Sequence, residues 1–235
     1  MNYKDGLSPI IEKHKQKLID NGWWPWFESF TTTKAFEQLN QRLINDSHKG
    51  YNIYPTPDDV FRLFLLLPLN NIKVIIQSQD PYHNPNAAHG IAFSHPTHYE
   101  YMQPSLKNIY KELENDGYKV NYQNCNLESW VTQGVFLINS ALTVLEGQAG
   151  SHSAVWKPIT TALFQYIAQQ HQQLVVIMWG KHAQSFEPQL NQFYLLQSGH
   201  PSPYSSHLFF NHHHFSLTNQ KLIEWHQTPI DWHIQ

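Results

Sequence analysis

Four short, unbroken apolar runs are the feature that most limits what this chain can fold into. They are IKVIIQ (72–77), VFLIN (135–139), LVVIMW (174–179) and FYLLQS (193–198). Runs of this length without alternating polar residues are typical of strands that are buried on both faces, as in a parallel sheet. Helical patterns separate three of the runs. The order therefore predicts an α/β domain with a short, parallel, four-stranded central sheet flanked by helices on both faces.

The segments between the runs carry helix signals. In PSLKNIYKELENDG (104–117), Ser105 is the predicted N-cap, Gly117 is the predicted stop, and the apolar residues between them share one face. A second helix is predicted from Trp156 to Gln170, and only a short helix fits in KHAQSFEPQLNQ (181–192). Further helical patterns are WWPWF (23–27), KAFEQLNQRL (34–43) and TNQKLIEWH (218–226). Because no repeat or linker divides the chain, we expect one domain over residues 1–235.

Charge and composition limit the classes of partner. Only 14% of the 235 residues are charged and the net charge is −3, which argues against a general polyanion binder. The charge is uneven, since Glu187 is the single acid between Gly147 and Ile223, where three lysines and eight histidines also lie. That half of the chain either faces phosphates without repelling them or simply has a surface that lacks acids, and composition does not decide between these.

Cysteine usage and hydropathy address the compartment. The single cysteine, Cys125, excludes an internal disulfide, no apolar run is long enough for a membrane span, and MNYKDGLSPIIEKHKQ has no apolar core like that of a signal peptide. We therefore expect an intracellular, cytoplasmic protein with no membrane partner.

The four strand ends share a character. They are followed by SQDPYH (78–83), by SALTV after Asn139, by GKHAQ (180–184) and by GHPSPYSS (199–206). In open parallel sheets ligands bind beyond the carboxyl ends of the strands. We therefore expect these four ends, which are rich in hydrogen-bonding and small residues, to build one pocket.

The same segments closely resemble family 1 uracil-DNA glycosylases. SQDPYH stands where the family has GQDPYH, and HPSPYS (200–205) stands where it has HPSPLS. The resemblance extends over nearly the whole chain, through HGIAFS (89–94), QPSLKNIYKEL (103–113), GVFLINSALTV (134–144), WGKHAQ (179–184), FFNHHHF (209–215) and PIDW (229–232). It implies a base-excision repair enzyme that flips uracil out of single- or double-stranded DNA and hydrolyses its N-glycosidic bond. It also implies that the enzyme works without a metal or other cofactor, as a monomer, wherever the cell or virus holds its DNA.

The resemblance assigns catalysis to Asp80 and His200. Asp80 would stabilise the positive charge that develops on the sugar and orient the attacking water, whereas a neutral His200 would donate a hydrogen bond to the departing uracil anion. Without the matching motifs, Asp80 is equally well interpreted as a turn-forming residue before Pro81. A lone histidine in a turn such as His200 is more often a surface polar group.

Base recognition is assigned to four residues. The amide of Asn139 offers a donor and an acceptor that separate uracil from cytosine, Tyr82 would exclude the methyl group of thymine, and Phe93 would stack on the flipped ring. Gln79 would contribute backbone contacts. The alternatives are a strand-capping role for Asn139 and ordinary core packing for Tyr82 and Phe93.

DNA contacts are expected from the rims of the strand-end loops. The resemblance places Ser105, Ser202 and Ser205 against phosphates, with His83 on the loop that follows Asp80. This chain departs from the family at three positions: Tyr204 replaces the leucine that fills the gap left by the flipped base, Lys181 replaces a serine, and Ser78 replaces a glycine. Tyr204 could stack on bases rather than wedge between them, and Lys181 could face a phosphate.

Two other functions remain open at this point. The histidines at 212–214 could form a metal site, although adjacent residues rarely converge on one ion. The fold could also serve as a DNA-binding scaffold or processivity partner with secondary or lost excision activity. Members of the resembled family are in addition targets of DNA-mimicking inhibitor proteins.

Overall fold

The sheet is the core of the fold. A computed structural model describes residues 3–97 and 101–235. In chain order its strands are β1 (Ile53–Tyr54), β2 (Val74–Ser78), β3 (Val135–Asn139), β4 (Val144–Leu145), β5 (Val175–Trp179) and β6 (Tyr194–Ser198). The main sheet has the order β3-β2-β5-β6 and every pairing in it is parallel. The four predicted strands and the α/β class are thus confirmed, with strand starts shifted by no more than two residues.

Helices cover both faces of this sheet. Every residue of β2, β3 and β5 is buried, whereas the edge strand β6 is partly exposed. Phe136 and Val176 share one row of the sheet, and Phe136 stacks on Trp23 from the N-terminal helices at 5.5 Å. Trp179, three residues beyond Val176, points to the opposite face and meets Phe215 of the C-terminal helix. The sequences of β2, β3 and β5 contain unbroken apolar runs because neither face of these strands is left to water.

α-Helices are the more abundant regular structure. They are α1 (Ser8–Asp20), α2 (Trp24–Thr31), α3 (Lys34–His48), α4 (Arg62–Leu66), α5 (Pro104–Asn115), α6 (Glu128–Val131), α7 (Ser153–Gln170), α8 (Lys181–Gln184), α9 (Glu187–Leu190) and α10 (His214–Glu224). Thr33 caps α3, since its hydroxyl accepts a hydrogen bond from the backbone N–H of Phe36 at 3.1 Å. Within the described ranges no helix combines the length and the apolarity that crossing a bilayer requires.

The predicted cap of α5 is wrong. Gln103 is the residue before the helix, Pro104 is its first residue, and Ser105 lies inside the first turn. Proline suits this first position because its fixed φ and missing N–H cost nothing there. The predicted stop is confirmed, since Gly117 has a φ of +91° just beyond the helix.

Two connections differ from the sequence-based expectation. α7 begins at Ser153, before the predicted Trp156, and KHAQSFEPQLNQ forms the two one-turn helices α8 and α9. β1 and β4 form a small antiparallel pair that the apolar pattern does not predict. Because β4 ends at Leu145, residues 146–152 must cross back to α7, and this segment reaches the site described next.

Candidate active site

A pocket opens at the carboxyl end of the central strands. It encloses about 200 Å³, less than the roughly 300–1,000 Å³ of pockets that hold drug-sized ligands, which suits a single ring. Asp80, Asn139 and His200 all line it; the remaining lining residues are Ser78, Gln79, Pro81, Tyr82, His83, Ala88, Gly90, Ile91, Phe93, Ser105 and Ala149. The ends of β2, β3 and β6 therefore meet in one place. The end of β5 does not line the pocket, so the expectation of four contributing strand ends is wrong in this respect.

Ser78 keeps the geometry of a strand. It is the last residue of β2 and pairs with Asn139 of β3, so its backbone is extended and does not require glycine. Its carbonyl accepts hydrogen bonds from the backbone N–H of Ser140 and from the Ser140 hydroxyl, both at 2.9 Å. The strand end that carries Asp80 is thereby tied to the strand end that carries Asn139.

The carboxylate of Asp80 is held on both oxygens. Its Oδ2 accepts a hydrogen bond from the backbone N–H of Gly150 and its Oδ1 accepts one from the hydroxyl of Ser153, each at 2.9 Å. A carboxylate oxygen can accept more than one hydrogen bond, so this anchoring leaves capacity toward the pocket. Asp80 lies two residues beyond the end of β2, and the backbone leading to it is fixed as well, because the carbonyl of Gln79 accepts a hydrogen bond from the N–H of Ala141 at 3.0 Å.

Asn139 presents an unsatisfied acceptor. The side chain is buried, with 4% of its surface exposed, and among the described residues its Oδ1 accepts no hydrogen bond. A buried polar atom without a partner is costly. In a pocket wall, this indicates that a ligand supplies the missing donor.

The tautomer of His200 follows from its surroundings. The backbone N–H of Ser202 donates to Nδ1 at 3.0 Å, so a neutral ring carries its proton on Nε2. Burial lowers the pKa of His200, and the nearby imidazole of His182 lowers that pKa further. The ring is therefore a neutral donor at physiological pH.

Gly180 makes room for this ring. It follows β5 with a φ of +89°, and a Cβ placed there would lie 2.8 Å from the Cβ of His200. The end of β5 thus supports the pocket from behind, although it does not line it. Sequence reasoning did not single out Gly180 for this role, and the signal available was a glycine directly after a buried strand.

Contacts with neighbouring residues fix the positions of Tyr82 and Phe93 in the pocket. The hydroxyl of Tyr82 donates to the carbonyl of Phe93 at 2.8 Å, and its ring stacks on His95 at 4.3 Å. Phe93 has a φ of +63°, which is strained for a bulky residue, and its ring meets Trp179 edge-on. Phe93 is 5% exposed, so it is a core aromatic that also lines the pocket. Strained backbone of this kind concentrates at functional sites.

The residues expected to contact DNA differ in exposure and in their relation to the pocket. His83 and Ser105 line the pocket, whereas Lys181 is exposed at the start of α8. Tyr204 projects into solvent with 96% of its surface exposed. Ser202 and Ser205 share a hydrogen bond at 3.0 Å between their hydroxyls.

The hydroxyl of Ser205 also donates to the carbonyl of His200 at 2.9 Å. Its proton is therefore committed within the loop. This leaves the oxygen of Ser205 as an acceptor only, so the expected donation from this hydroxyl to a phosphate would require the loop to rearrange.

The three adjacent histidines have separate partners. His212 Nε2 lies 3.1 Å from the carbonyl of Leu208, His213 Nδ1 lies 3.2 Å from Asp116, and His214 Nδ1 accepts from the indole N–H of Trp179 at 3.1 Å. Within residues 3–97 and 101–235, no group of three or more histidine, cysteine or acidic side chains is arranged to hold a metal ion. His214 is buried in the packing around α10, whereas His212 and His213 are exposed, so the three side chains do not converge on one point.

Sequence reasoning missed the residues that hold Asp80. Gly150 lies in the segment between β4 and α7 and Ser153 is the first residue of α7, and the family motifs do not mark either. The available signal was local: a glycine and a serine directly before a predicted helix are typical of an N-terminal turn, whose N–H and hydroxyl groups bind anions.

Comparison with known proteins places this geometry in context. A family model described as "Uracil DNA glycosylase superfamily" matches residues 65–223. The chain is 39% identical over 222 residues to the uracil-DNA glycosylase of Lachnoclostridium phytofermentans, covering 93% of this chain and 98% of that protein.

Solved structures are similar over most of the fold. The crystal structure of mimivirus uracil-DNA glycosylase matches with a TM-score of 0.83 and 27% identity, covering 95% of this chain and 93% of the other. A mimivirus UNG variant in complex with UGI matches with a TM-score of 0.82 and 28% identity, covering 90% of this chain and 88% of the other.

Proposed function

This chain belongs to family 1 of the uracil-DNA glycosylases, the base-excision repair enzymes that remove uracil from DNA, and we propose how the residues of its pocket carry out that reaction. The observation that carries the assignment of roles is the meeting of three groups in one small pocket. They are an anchored carboxylate on Asp80, a buried unsatisfied acceptor on Asn139 and a neutral N–H donor on His200.

Asn139 selects the base. Uracil carries an N3–H donor beside its O4 acceptor, so N3–H supplies the hydrogen bond that Oδ1 of Asn139 lacks. Cytosine has an acceptor at N3 and a donor at C4, and it would place two acceptors against each other. Since a buried acceptor without a donor costs on the order of 1–3 kcal/mol, one fixed amide discriminates between the two bases.

Asp80 acts on the sugar side of the bond. A glycosidic bond breaks through a transition state with positive charge on the anomeric carbon, and a fixed carboxylate stabilises that charge without reorganising. The same carboxylate accepts a hydrogen bond from the attacking water. As the water oxygen bonds to the anomeric carbon, one water proton passes to the Asp80 carboxylate, and the electron pair of the broken carbon–nitrogen bond leaves on the base.

His200 acts on the departing base. Ordinary glycosidases protonate the leaving group with a second carboxylic acid, but among the described residues that line this pocket Asp80 is the single carboxylate. Uracil leaves as a delocalised anion, so it needs a hydrogen-bond donor rather than a strong acid. The Nε2–H of neutral His200 supplies that donor.

Tyr82 and Phe93 shape the base pocket. The hydrogen bond from Tyr82 to the carbonyl of Phe93 ties the two positions together, so the Tyr82 ring fills the space beside uracil C5 and excludes a thymine methyl group. Phe93 offers its ring to the flipped base, and Gln79 adds backbone contacts. The strained backbone of Phe93 supports a role beyond packing.

The rim holds DNA, single- or double-stranded. His83, Ser105 and Lys181 contact the backbone phosphates and sugars near the flipped nucleotide. Ser202 and Ser205 join them only when their loop rearranges, because their hydroxyl protons are otherwise used within the loop. The fully exposed Tyr204 occupies or stacks over the gap in the base stack. With few directed contacts and a net charge of −3, we expect modest affinity and a shallow salt dependence.

This rim is also where a protein inhibitor would bind. A mimivirus UNG variant has been solved in complex with UGI. We propose that an inhibitor that mimics DNA competes for the same surface of this chain. We also propose that the enzyme acts as a monomer, since one chain supplies every group named above.

Excision by the Asp80→Asn variant tests the proposal. The amide keeps the shape of the side chain but removes its charge, so we expect near-complete loss of uracil release with DNA binding retained. The measurements are gel-based excision on single- and double-stranded uracil-containing DNA and a separate binding titration. The unmodified protein should release uracil, but not thymine or cytosine, without added metal. Wild-type cleavage by Asp80→Asn would refute the assigned chemistry.

A further inference from the structure

A buried carboxylate and a buried imidazole lie outside the pocket. Asp46 is on α3 with 4% of its surface exposed, and His152, directly before α7, is fully buried. His152 Nε2 lies 3.2 Å from Asp46 Oδ2, and neither residue lines the pocket. The reaction proposed above leaves this pair without a role.

Hydrogen-bond directions define the state of the pair. The indole N–H of Trp156 donates to Thr143 Oγ1 at 2.7 Å, which leaves the Thr143 hydroxyl to donate to His152 Nδ1 at 2.9 Å. The proton of a neutral imidazole is then on Nε2 and points at Asp46. Arg42 donates to the same carboxylate oxygen at 2.5 Å. In this series of hydrogen bonds every donor has one acceptor when His152 is neutral and Asp46 is ionised.

The charge states agree with this arrangement. Burial lowers the pKa of His152, although the Asp46 carboxylate partly opposes the shift. Burial by itself would raise the pKa of Asp46, but hydrogen bonds from Arg42 and His152 hold that pKa below its usual value.

The pair anchors the short segment that holds Asp80. His152 lies between Gly150 and Ser153, whose N–H and hydroxyl bind the two oxygens of the Asp80 carboxylate. The carbonyl of His152 also accepts the N–H groups of Val155 and Trp156, which starts α7. Moving the side chain of His152 would therefore displace both contacts to Asp80.

We propose that Asp46 and His152 are positioning residues that act through Gly150 and Ser153 to orient the Asp80 carboxylate for base excision. This inference rests on the proposed role of Asp80. It predicts an effect on the rate of bond cleavage rather than on substrate binding, because the base contacts of Asn139 lie on a different strand end. A purely structural pair would lower stability and leave the rate of the folded enzyme unchanged.

The experiment compares two variants on uracil-containing DNA. Asp46→Ala removes the acceptor of the His152 proton. Ser153→Ala deletes the hydroxyl that donates to Asp80, and because Ser153 is only half-buried we expect this variant to fold. Since a misplacement of about 1 Å at a reacting group can cost on the order of 10²-fold, we expect kcat to fall by about 10- to 100-fold in Asp46→Ala and by about 10-fold in Ser153→Ala. KM should stay within about twofold of wild type.

Glu112→Ala is the matched control. Glu112 is a buried carboxylate, 2% exposed, that holds another loop through the backbone N–H groups of Asn211 and His212. We expect it to lose stability to a similar extent as Asp46→Ala, with kcat unchanged at a temperature where all variants are folded. An equal fall in kcat in this control would overturn the inference.

Combination with Asp80→Asn separates the two proposals. If Asp46 acts through the Asp80 carboxylate, Asp46→Ala should change the residual rate of Asp80→Asn by less than about twofold. A full, additive loss in that background would overturn the positioning role, and so would a wild-type kcat in folded Asp46→Ala. Wild-type activity of Asp80→Asn alone would instead refute the role of Asp80. If Asp46→Ala does not fold, Asp46→Asn, which keeps the size of the side chain and removes its charge, is measured in its place, and a wild-type kcat of that variant overturns the positioning role.

Discussion

Gly180→Ala tests whether the position of His200 limits the reaction. Gly180 has φ +89° and ψ 162°, and an added Cβ would lie 2.8 Å from the Cβ of His200 and 3.4 Å from its Cα. Carbon atoms in contact are normally about 3.5–4.0 Å apart. The two residues must therefore separate by about 1 Å, and the backbone of both is fixed by the strands that precede them.

The expected cost has two parts. A displacement of about 1 Å at a group that contacts the departing base should lower the excision rate on the order of 10²-fold. The unfavourable φ and ψ of an alanine at this position should cost a further 1–3 kcal/mol, roughly, of unfolding free energy. The first effect concerns the folded enzyme and the second concerns how much of it is folded.

Single-turnover excision and denaturant unfolding measure the two parts separately. Gly117→Ala is the control, since Gly117 has nearly the same φ, +91°, but a Cβ there would meet nothing within 4 Å. We expect it to lose stability without losing rate. An excision rate for folded Gly180→Ala within about threefold of the control would refute the reasoning that the position of His200 controls departure of the base.

Three further results are expected. Asn139→Asp alters the hydrogen-bonding edge and should weaken the preference for uracil over cytosine; an unchanged ratio of the two excision rates would locate selectivity elsewhere. Tyr204→Ala should reduce excision from double-stranded DNA more than from single-stranded DNA, because only the duplex has a gap to fill, and equal losses would contradict this. Burial lowers the pKa of His95 and of His214 from 6.5 to about 4, so the unfolded chain binds more protons below pH 6.5 and stability must fall as the pH drops toward 4. Relative to pH 8, we expect a loss on the order of 2 kcal/mol from each histidine at pH 5, and denaturant unfolding that is independent of pH over this range would argue against it.

The four strands of the main sheet were predictable because burial on both faces requires a continuous run of apolar residues, which is visible in the local sequence. Each run of apolar residues records its own environment, and the residue after each run lies at the carboxyl end of a parallel sheet by construction. The meeting of Asp80, Asn139 and His200 in one pocket follows from that rule. The roles of these residues rest on family motifs and stay predictions.

The support of the site was not predictable in the same way. Asp46 and His152 are 106 residues apart, and no periodic pattern relates a position on α3 to the turn before α7. The sequence also carries no signal for the left-handed backbone of Phe93. A phenylalanine disfavours φ +63°, so tertiary contacts must impose this conformation. Ser105 shows the opposite error, since a local cap rule was applied where Pro104 already starts the helix.

The loop that follows β6 carries both the groups that hold His200 and the exposed ring of Tyr204. Ser202 and Ser205 bind the ring nitrogen and the carbonyl of His200, and Tyr204 stands between them with its ring in solvent. Because Ser202 and Ser205 flank Tyr204, a displacement of the Tyr204 ring against a distorted duplex would also displace the groups that hold the imidazole of His200. On the roles proposed for Tyr204 and His200, contact with the duplex and assistance to the leaving base would depend on the same short loop, so a substitution at position 204 should be tested for its effect on catalysis as well as on DNA binding.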